Sequence, residues 1–127
     1  MAKPCKSCFL TVENEVGKLA AVTAKLGDAG LNIHAICAWT EGNVGKLIAC
    51  TDDNEKACEV FKTFGDCGWK EGITLMADNR AGALQEIAAT LADAGIDIDL
   101  IYATATDGPT ARVVLYTSDN AKAADLV

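Results

Sequence analysis

Residues 12–33, VENEVGKLAAVTAKLGDAGLNI, have a similar second copy at residues 77–98, ADNRAGALQEIAATLADAGIDI. Aligned without a gap at an offset of 65 residues, the segment 8–38 shares 12 identities over 31 positions with its second copy. A match of this kind at one fixed offset indicates an internal duplication, so the fold is built from two versions of one unit. We expect two domains, residues 1–72 and residues 73–127.

Each copy predicts the same order of elements. A short strand leads into a polar turn, and apolar residues then recur at helical spacing up to a glycine, Gly30 or Gly95, that suits a left-handed helix end. Two further strands follow, joined by hairpin loops. The dipeptides Asp53-Asn54 and Asp119-Asn120 supply N-caps for a second helix. The resulting βαββαβ order predicts an α+β, ferredoxin-like fold, an antiparallel sheet with helices on one face.

The second copy ends early. The chain stops at Val127, about two turns into the second helix, and residues 62–72 have no counterpart. We therefore expect either that the second unit lacks its last strand or that something else completes that edge. An unpaired strand edge favours pairing with another chain, so we also expect a homodimer or a higher homo-oligomer.

Composition excludes several classes of protein. Half of the 127 residues are apolar, which is enough for a packed core, and the formal charge of −7 disfavours binding to nucleic acid. No apolar run approaches the length of a membrane span, and the N-terminus lacks the apolar core of a signal peptide. We expect a soluble, cytoplasmic protein with no membrane partner.

The turn between the first strand and the first helix carries the features of a ligand site. Gly17 and Gly82 begin the helices, where the absence of a side chain lets a ligand approach the backbone and the free N–H groups attract a carboxylate. Asn14 and Asn79 precede these glycines and can donate or accept a hydrogen bond. The alternative is that both asparagines only cap the helix or the turn.

Two motifs in each copy resemble the ACT-domain signature. They are Val12–Leu19 with Gly30–Ile33, and Ala77–Leu84 with Gly95–Ile98. The family pattern is a strand, a turn that ends in Pro-Gly, a Leu two residues later, and Gly-x-Asn-Ile opening the second strand. Here Val16 or Ala81 replaces the turn proline.

The whole chain resembles the stand-alone tandem ACT proteins of bacteria, which carry no attached enzyme. The resemblance implies a regulatory sensor that binds an amino acid between paired units, with no cofactor, and with an unidentified enzyme or regulator as a further partner. It implies ligand contacts from Asn14, Glu15, Val16, Gly17, Leu19, Asn32, Ile33 and His34 in the first copy, and from Asn79, Arg80, Ala81, Gly82, Leu84, Asp97 and Ile98 in the second. The alternative is a ligand-free module for protein interaction or oligomerisation.

No group of residues suggests catalysis, since Asp97 and Asp99 share a strand face without a nucleophile or a second catalytic group. All six cysteines lie in the first copy and none has a counterpart in the second, so the shared fold does not require them. Cys37 and Cys50 are expected to act as small buried hydrophobes. The pair Cys5-x-x-Cys8 lacks the second pair or histidine that zinc motifs carry, and no metal ligand is assigned.

Overall fold

The computed structural model describes residues 2–127, which form six strands and four helices. The strands are β1 (Lys3–Glu13), β2 (Ile33–Glu41), β3 (Val44–Thr51), β4 (Asp66–Asp78), β5 (Ile98–Ala105) and β6 (Thr110–Thr117). The helices are α1 (Lys18–Asp28), α2 (Asn54–Lys62), α3 (Ala83–Asp93) and α4 (Asn120–Leu126). In the first unit β3 lies between β2 and β1, and in the second unit β6 lies between β4 and β5, with all four pairings antiparallel. This α+β arrangement, with its repeated βαββαβ pattern, confirms the predicted fold class.

The chain divides into two compact units. The first unit is Lys6–Lys70, and the second unit combines residues 2–5 with Glu71–Val127. The sequence places the boundary after residue 72 and assigns the first residues of the chain to the first domain. The structure differs because β1 is longer than its predicted core of Cys8–Val12, and its first residues belong to the second unit.

The fourth strand position of the second unit is filled, which corrects the expectation of a missing strand. Lys3–Cys5 of β1 lies in the second unit, and β1 neighbours β4 in the sheet. Ala2 packs against the core of this unit and Cys5 is buried. A segment from the start of the chain thus completes the edge, and the argument for oligomerisation from an unpaired first strand no longer holds.

Each unit has its own apolar core. In the first unit the largest members are Leu10, Leu26 and Phe61, all almost fully buried. In the second unit Ile73, Leu91 and Leu115 take equivalent roles. Helices pack over these side chains because the apolar residues of α1 and α3 recur every three to four positions and so share one helix face.

The predicted helix caps are confirmed. The Asp53 carboxylate accepts a hydrogen bond from the Lys56 amide, and the Asp119 carboxylate accepts one from the Lys122 amide. Gly30 adopts a left-handed backbone with φ of 75°, as predicted for a helix end. The same residue types therefore begin and end the helices of both copies: an aspartate at the N-cap of the second helix and a glycine after the first helix.

Among residues 2–127, no helix combines the length and the apolar character that crossing a membrane requires.

Candidate functional site

A cavity of about 310 Å³ lies beside the turn that joins β1 to α1 in the first unit. Its volume is at the lower end of the range for small-molecule pockets. The turn contributes Asn14, Glu15 and Gly17, and the start of α1 contributes Lys18 and Leu19. Four of the predicted ligand residues therefore line one cavity: Asn14, Glu15, Gly17 and Leu19.

Strand register explains the wall opposite the helix. Leu47 of β3 pairs with Leu10 of β1 and with Ala38 of β2, and all three line the cavity. Two residues closer to the β1–α1 turn, Gly45 of β3 pairs with Val12 of β1 and with Thr40 of β2. A side chain on Gly45 would approach Val12 Cγ2 to 3.3 Å, so the glycine keeps this row open. The wall is therefore mainly apolar, with a hydroxyl at its edge.

The start of α1 presents unpaired hydrogen-bond donors to the cavity. Gly17 is the N-cap, with φ of 86°, and no side chain caps the helix. The Lys18 amide donates to the Glu15 carbonyl. The amides of Leu19 and Ala20 have no acceptor within the helix, because they belong to its first turn. No acidic residue lies in this first turn. The helix start is therefore a favourable position for a carboxylate.

Charged side chains surround the cavity in pairs. Lys18 Nζ lies 3.5 Å from Glu15 Oε2, and Lys46 Nζ lies 3.3 Å from Glu41 Oε2. Trp39 Nε1 donates a hydrogen bond to Glu41 Oε1 at 3.0 Å. The bond from Trp39, with the bond and charge of Lys46, lowers the pKa of Glu41. A zwitterionic ligand in the cavity could therefore replace a carboxylate as the partner of either ammonium group or of the Trp39 indole N–H.

The two repeated asparagines have different roles in the two copies. Asn79 Nδ2 donates to the carbonyls of Thr106 and Gly108 at 2.8 and 2.9 Å, which ties the turn to the β5–β6 hairpin. Within residues 2–127, the Asn14 side chain makes no such bond, and only its backbone amide reaches the β2–β3 hairpin, at Asn43. The second hairpin therefore holds its turn through a side chain, and the first hairpin does so through the backbone alone.

Neither asparagine caps its helix, so the helix-capping alternative is wrong for both copies. Each helix begins at a glycine, Gly17 or Gly82, without a side-chain cap. Asn79 instead has a structural role in the turn and hairpin, which agrees with the simpler reading of that residue. The Asn14 amide remains available at the cavity.

The second copy carries its own ion pairs at the corresponding turn. Arg80 Nη2 lies 2.8 Å from Glu86 Oε2 in the first turn of α3, and Arg80 Nε lies 3.6 Å from Asp78 Oδ2. The hydrogen bond and charge of Arg80 lower the pKa of Glu86. The start of α3 therefore already has an acidic side chain beside it, unlike the start of α1.

The remaining predicted residues lie away from the cavity. Asn32, Ile33 and His34 are at the start of β2, whereas Thr40, near its end, lines the cavity. Seven residues of extended chain separate Ile33 from Thr40, or roughly 20 Å. Asp97 and Ile98 occupy the same strand-start position in the second unit. The structure does not bring these five residues together with the turn of their own unit.

Val16, Ala81 and Leu84 are exposed residues of the turns and of the first turn of α3. Val16 is fully exposed, so this position, where the ACT pattern has proline, contributes an apolar side chain to the surface.

The sequence alone did not identify the residues that β2 and β3 contribute to the cavity. Trp39 is 37% exposed and lines the cavity with Lys46. Pairing outwards from the hairpin EGN at residues 41–43 places Trp39 opposite Lys46. Together with the antiparallel pairing of β1 and β3, this register places both residues at the end of the sheet next to the β1–α1 turn. Hairpin register is therefore the sequence feature from which their position could be predicted.

We expect Gly17→Ala to destabilise the protein by about 1 kcal/mol or more, because alanine is strained at positive φ. No atom lies within 4 Å of the position that the new methyl group would take, so the effect isolates the backbone. Gly27→Ala is the matched control, since Gly27 lies inside α1 with equally open space. It should stabilise the helix by about 0.5–1 kcal/mol. Urea unfolding measures both, and a stabilising Gly17→Ala would contradict the assigned turn conformation.

The cysteines do not pair as Cys5-x-x-Cys8. Cys5 belongs to the second unit, and its three-residue spacing from Cys8 along one strand places the two side chains on opposite faces. The thiols of Cys8, Cys58 and Cys67 instead come together, with their sulfur atoms within 4.8 Å of one another. Cys50 is buried as predicted, whereas Cys37 is only partly buried.

Burial raises the pKa of two of these three thiols, Cys8 and Cys67. Burial, followed by the hydrogen bond and charge of Cys58, raises the pKa of Cys8 far above its usual range, and Cys8 Sγ donates to the Asn54 carbonyl at 3.0 Å. The same causes raise the pKa of Cys67 to about 12, while its interaction with Cys8 and the charge of Lys62 act in the opposite direction. In the metal-free protein these two thiols are therefore protonated at neutral pH.

Solved structures with the same fold include three that cover almost the whole chain. Protein BT0572 from Bacteroides thetaiotaomicron has a TM-score of 0.89 at 26% identity, over 98% of this chain and 87% of that one. The ligand-free regulatory subunit of aspartate kinase from Thermus thermophilus has a TM-score of 0.71 at 12% identity, over 99% and 94%. The regulatory subunit of aspartate kinase from Thermus flavus has 0.67 at 16%, over 99% and 90%.

No family model and no curated protein matches the sequence. The similarity to the solved structures extends over both copies and both ends of the chain. The tandem α+β fold that the repeat predicts, and the ACT-like form of it that the resemblance implies, are therefore confirmed.

Proposed function

We propose that this protein is a cytoplasmic, non-catalytic regulatory sensor that binds a free amino acid beside the β1–α1 turn of its first unit. The observation that carries the proposal is the cavity of about 310 Å³ lined by that turn and by the first residues of α1. Two of the similar structures are regulatory subunits of aspartate kinase, which supports a regulatory role. A ligand would act by stabilising one conformation or assembly over another.

The chemistry of the cavity matches both ends of an amino acid. The amides of Leu19 and Ala20, with the ammonium of Lys18, suit an α-carboxylate at the helix start. The Asn14 side-chain oxygen suits the α-ammonium group, and the carboxylate of Glu15 lies in the same turn. The apolar wall of Leu10, Val22, Ala38 and Leu47 then faces the ligand side chain. A small ligand is favoured over a nucleotide because the volume is low and the protein is acidic.

The first copy is the better candidate of the two. Asn79 uses both amide hydrogens on its hairpin, and Glu86 occupies the start of α3 with Arg80. A ligand at the second turn would have to displace these contacts, whereas Asn14 is available. Asn79, Arg80, Ala81, Gly82 and Leu84 therefore become secondary candidates.

The strand-start residues keep a conditional role. Asn32, Ile33 and His34 can reach a ligand at a turn only from another unit, because their own turn is at the opposite end of the strand. The same holds for Asp97 and Ile98. Their participation depends on the pairing of units that the ACT resemblance implies.

A thermal-shift screen of the purified protein against the twenty common amino acids tests the proposal. A ligand that binds only the folded state raises the melting temperature with its concentration. Asn14→Ala should weaken binding of the amino acid so identified by roughly tenfold or more, since it removes a hydrogen bond to a charged group. Titration calorimetry measures this change.

Asn79→Ala is the matched control. It should leave the affinity unchanged but destabilise the second unit by about 1–2 kcal/mol, because two carbonyls lose their donor. Equal loss of affinity in both variants would contradict a site in the first copy alone. No melting shift for any amino acid at millimolar concentration would contradict the sensor itself.

A second candidate function is protein interaction or oligomerisation without a ligand. Val16, Leu19 and Trp39 are apolar and exposed near the cavity, and β2 is an edge strand of the sheet. Such features favour contact with another chain. A homodimer by sedimentation together with an unsuccessful amino-acid screen would favour this candidate over the sensor.

A further inference from the structure

Three elements of the first unit bring three thiols to one point. Cys8 lies in β1, Cys58 in α2 and Cys67 in β4, and their sulfur atoms are all within 4.8 Å of one another. Sulfur atoms bound to one ion at about 2.3 Å would lie roughly 4 Å apart. A contraction of less than about 1 Å therefore converts the cluster into a set of metal ligands.

The repeat shows that core packing does not require these thiols. In the second copy, Ile73 aligns with Cys8 and Ala124 aligns with Cys58. Both replacements are ordinary apolar residues that pack within or against the second core. The fold therefore accepts apolar side chains at these positions, and the first copy instead has sulfur from three separate elements.

The surroundings suit a soft divalent cation. Thiolate sulfur selects soft and borderline metals such as zinc over magnesium or calcium. Three thiolates and one Zn²⁺ carry a single net negative charge. Cys8 and Cys58 are buried while Cys67 is partly exposed, so a fourth coordination position would face the Cys67 side and hold water or an external ligand.

The geometry points to a zinc site formed by the thiolates of Cys8, Cys58 and Cys67 in the first unit. On binding, the three S–H protons pass to solvent, three Zn–S bonds form, and the hydrated ion loses the water molecules that the sulfurs replace. The site joins β1, α2 and β4, so the metal crosslinks elements that are far apart in sequence. It is independent of the amino-acid cavity, which none of the three cysteines lines.

The test is a titration of the reduced, full-length protein with Zn²⁺ alone, in competition with a chromogenic chelator. We expect one tightly bound zinc per chain and a melting temperature that rises with zinc. Cys58→Ala introduces the residue of the second copy, so the variant should fold, and it should bind zinc at least tenfold more weakly. Cys67→Ser should do the same.

Cys37→Ser is the control, because Cys37 is partly buried in β2 outside the cluster. It should retain one zinc per chain with unchanged affinity. The proposal is overturned if the wild-type protein binds no more zinc than folded Cys58→Ala, or if Cys37→Ser loses zinc to the same extent.

Discussion

Deleting residues 2–5 should destabilise the second unit by roughly 3 kcal/mol or more. These residues include the part of β1 that completes the sheet of that unit, with Ala2 against its core and Cys5 buried. The deletion removes several backbone hydrogen bonds at about 0.5–1.5 kcal/mol each, together with the burial of apolar surface. Hydrogen exchange should show lost protection in residues 71–78, with less change in the first unit.

Lys3→Ser is the control for the deletion, since Lys3 is an exposed residue of the same segment. Its effect should stay within about 0.5 kcal/mol. If the truncated chain keeps full protection in residues 71–78, the segment does not complete the second unit. Loss of protection in the first unit alone would lead to the same conclusion.

Phe61→Ala should lower the free energy of unfolding of the first unit by about 3–5 kcal/mol. Phe61 is fully buried in α2 and packs in the cluster with Leu10 and Leu26. Truncation removes apolar burial and leaves a cavity that the surrounding side chains fill only in part. Guanidinium unfolding followed by far-ultraviolet circular dichroism measures the loss.

Glu59→Ala, in the same helix but exposed, is the matched control and should change stability by less than about 0.5 kcal/mol. A loss below about 1.5 kcal/mol for Phe61→Ala would show that this side chain is not central to the core. A similar loss in both variants would indicate a general effect on α2 instead.

The repeat made most of the fold predictable. Matching turns, helix spacings and caps define the same elements twice, and Asp53 and Asp119 cap their helices as expected. The fourth strand of the second unit was not predictable in this way. Lys3–Cys5 contains a proline and a lysine, so it shows neither the alternation nor the apolar content of a strand. It joins the sheet through tertiary pairing, which local sequence does not encode.

The candidate site was only partly predictable. The turn residues Asn14, Gly17 and Leu19 follow from local chemistry, and they line the cavity together. Ala38, Gly45 and Leu47 carry no chemical signature, and their role depends on the register of three strands. The different use of Asn79 depends on the hairpin that its side chain reaches. The three-thiol cluster combines residues up to 59 positions apart, from Cys8 to Cys67, so no short spacing motif reveals it.

Backbone amide chemical shifts during an amino-acid titration test the central claim most directly. The ligand is the amino acid that most raises the melting temperature. The account predicts that the largest saturable shifts occur at Gly17, Leu19 and Ala20, with little change at Gly82 and Leu84. Shifts centred on the second turn, or no saturable shifts at millimolar concentration of any amino acid, would contradict an amino-acid site in the first copy.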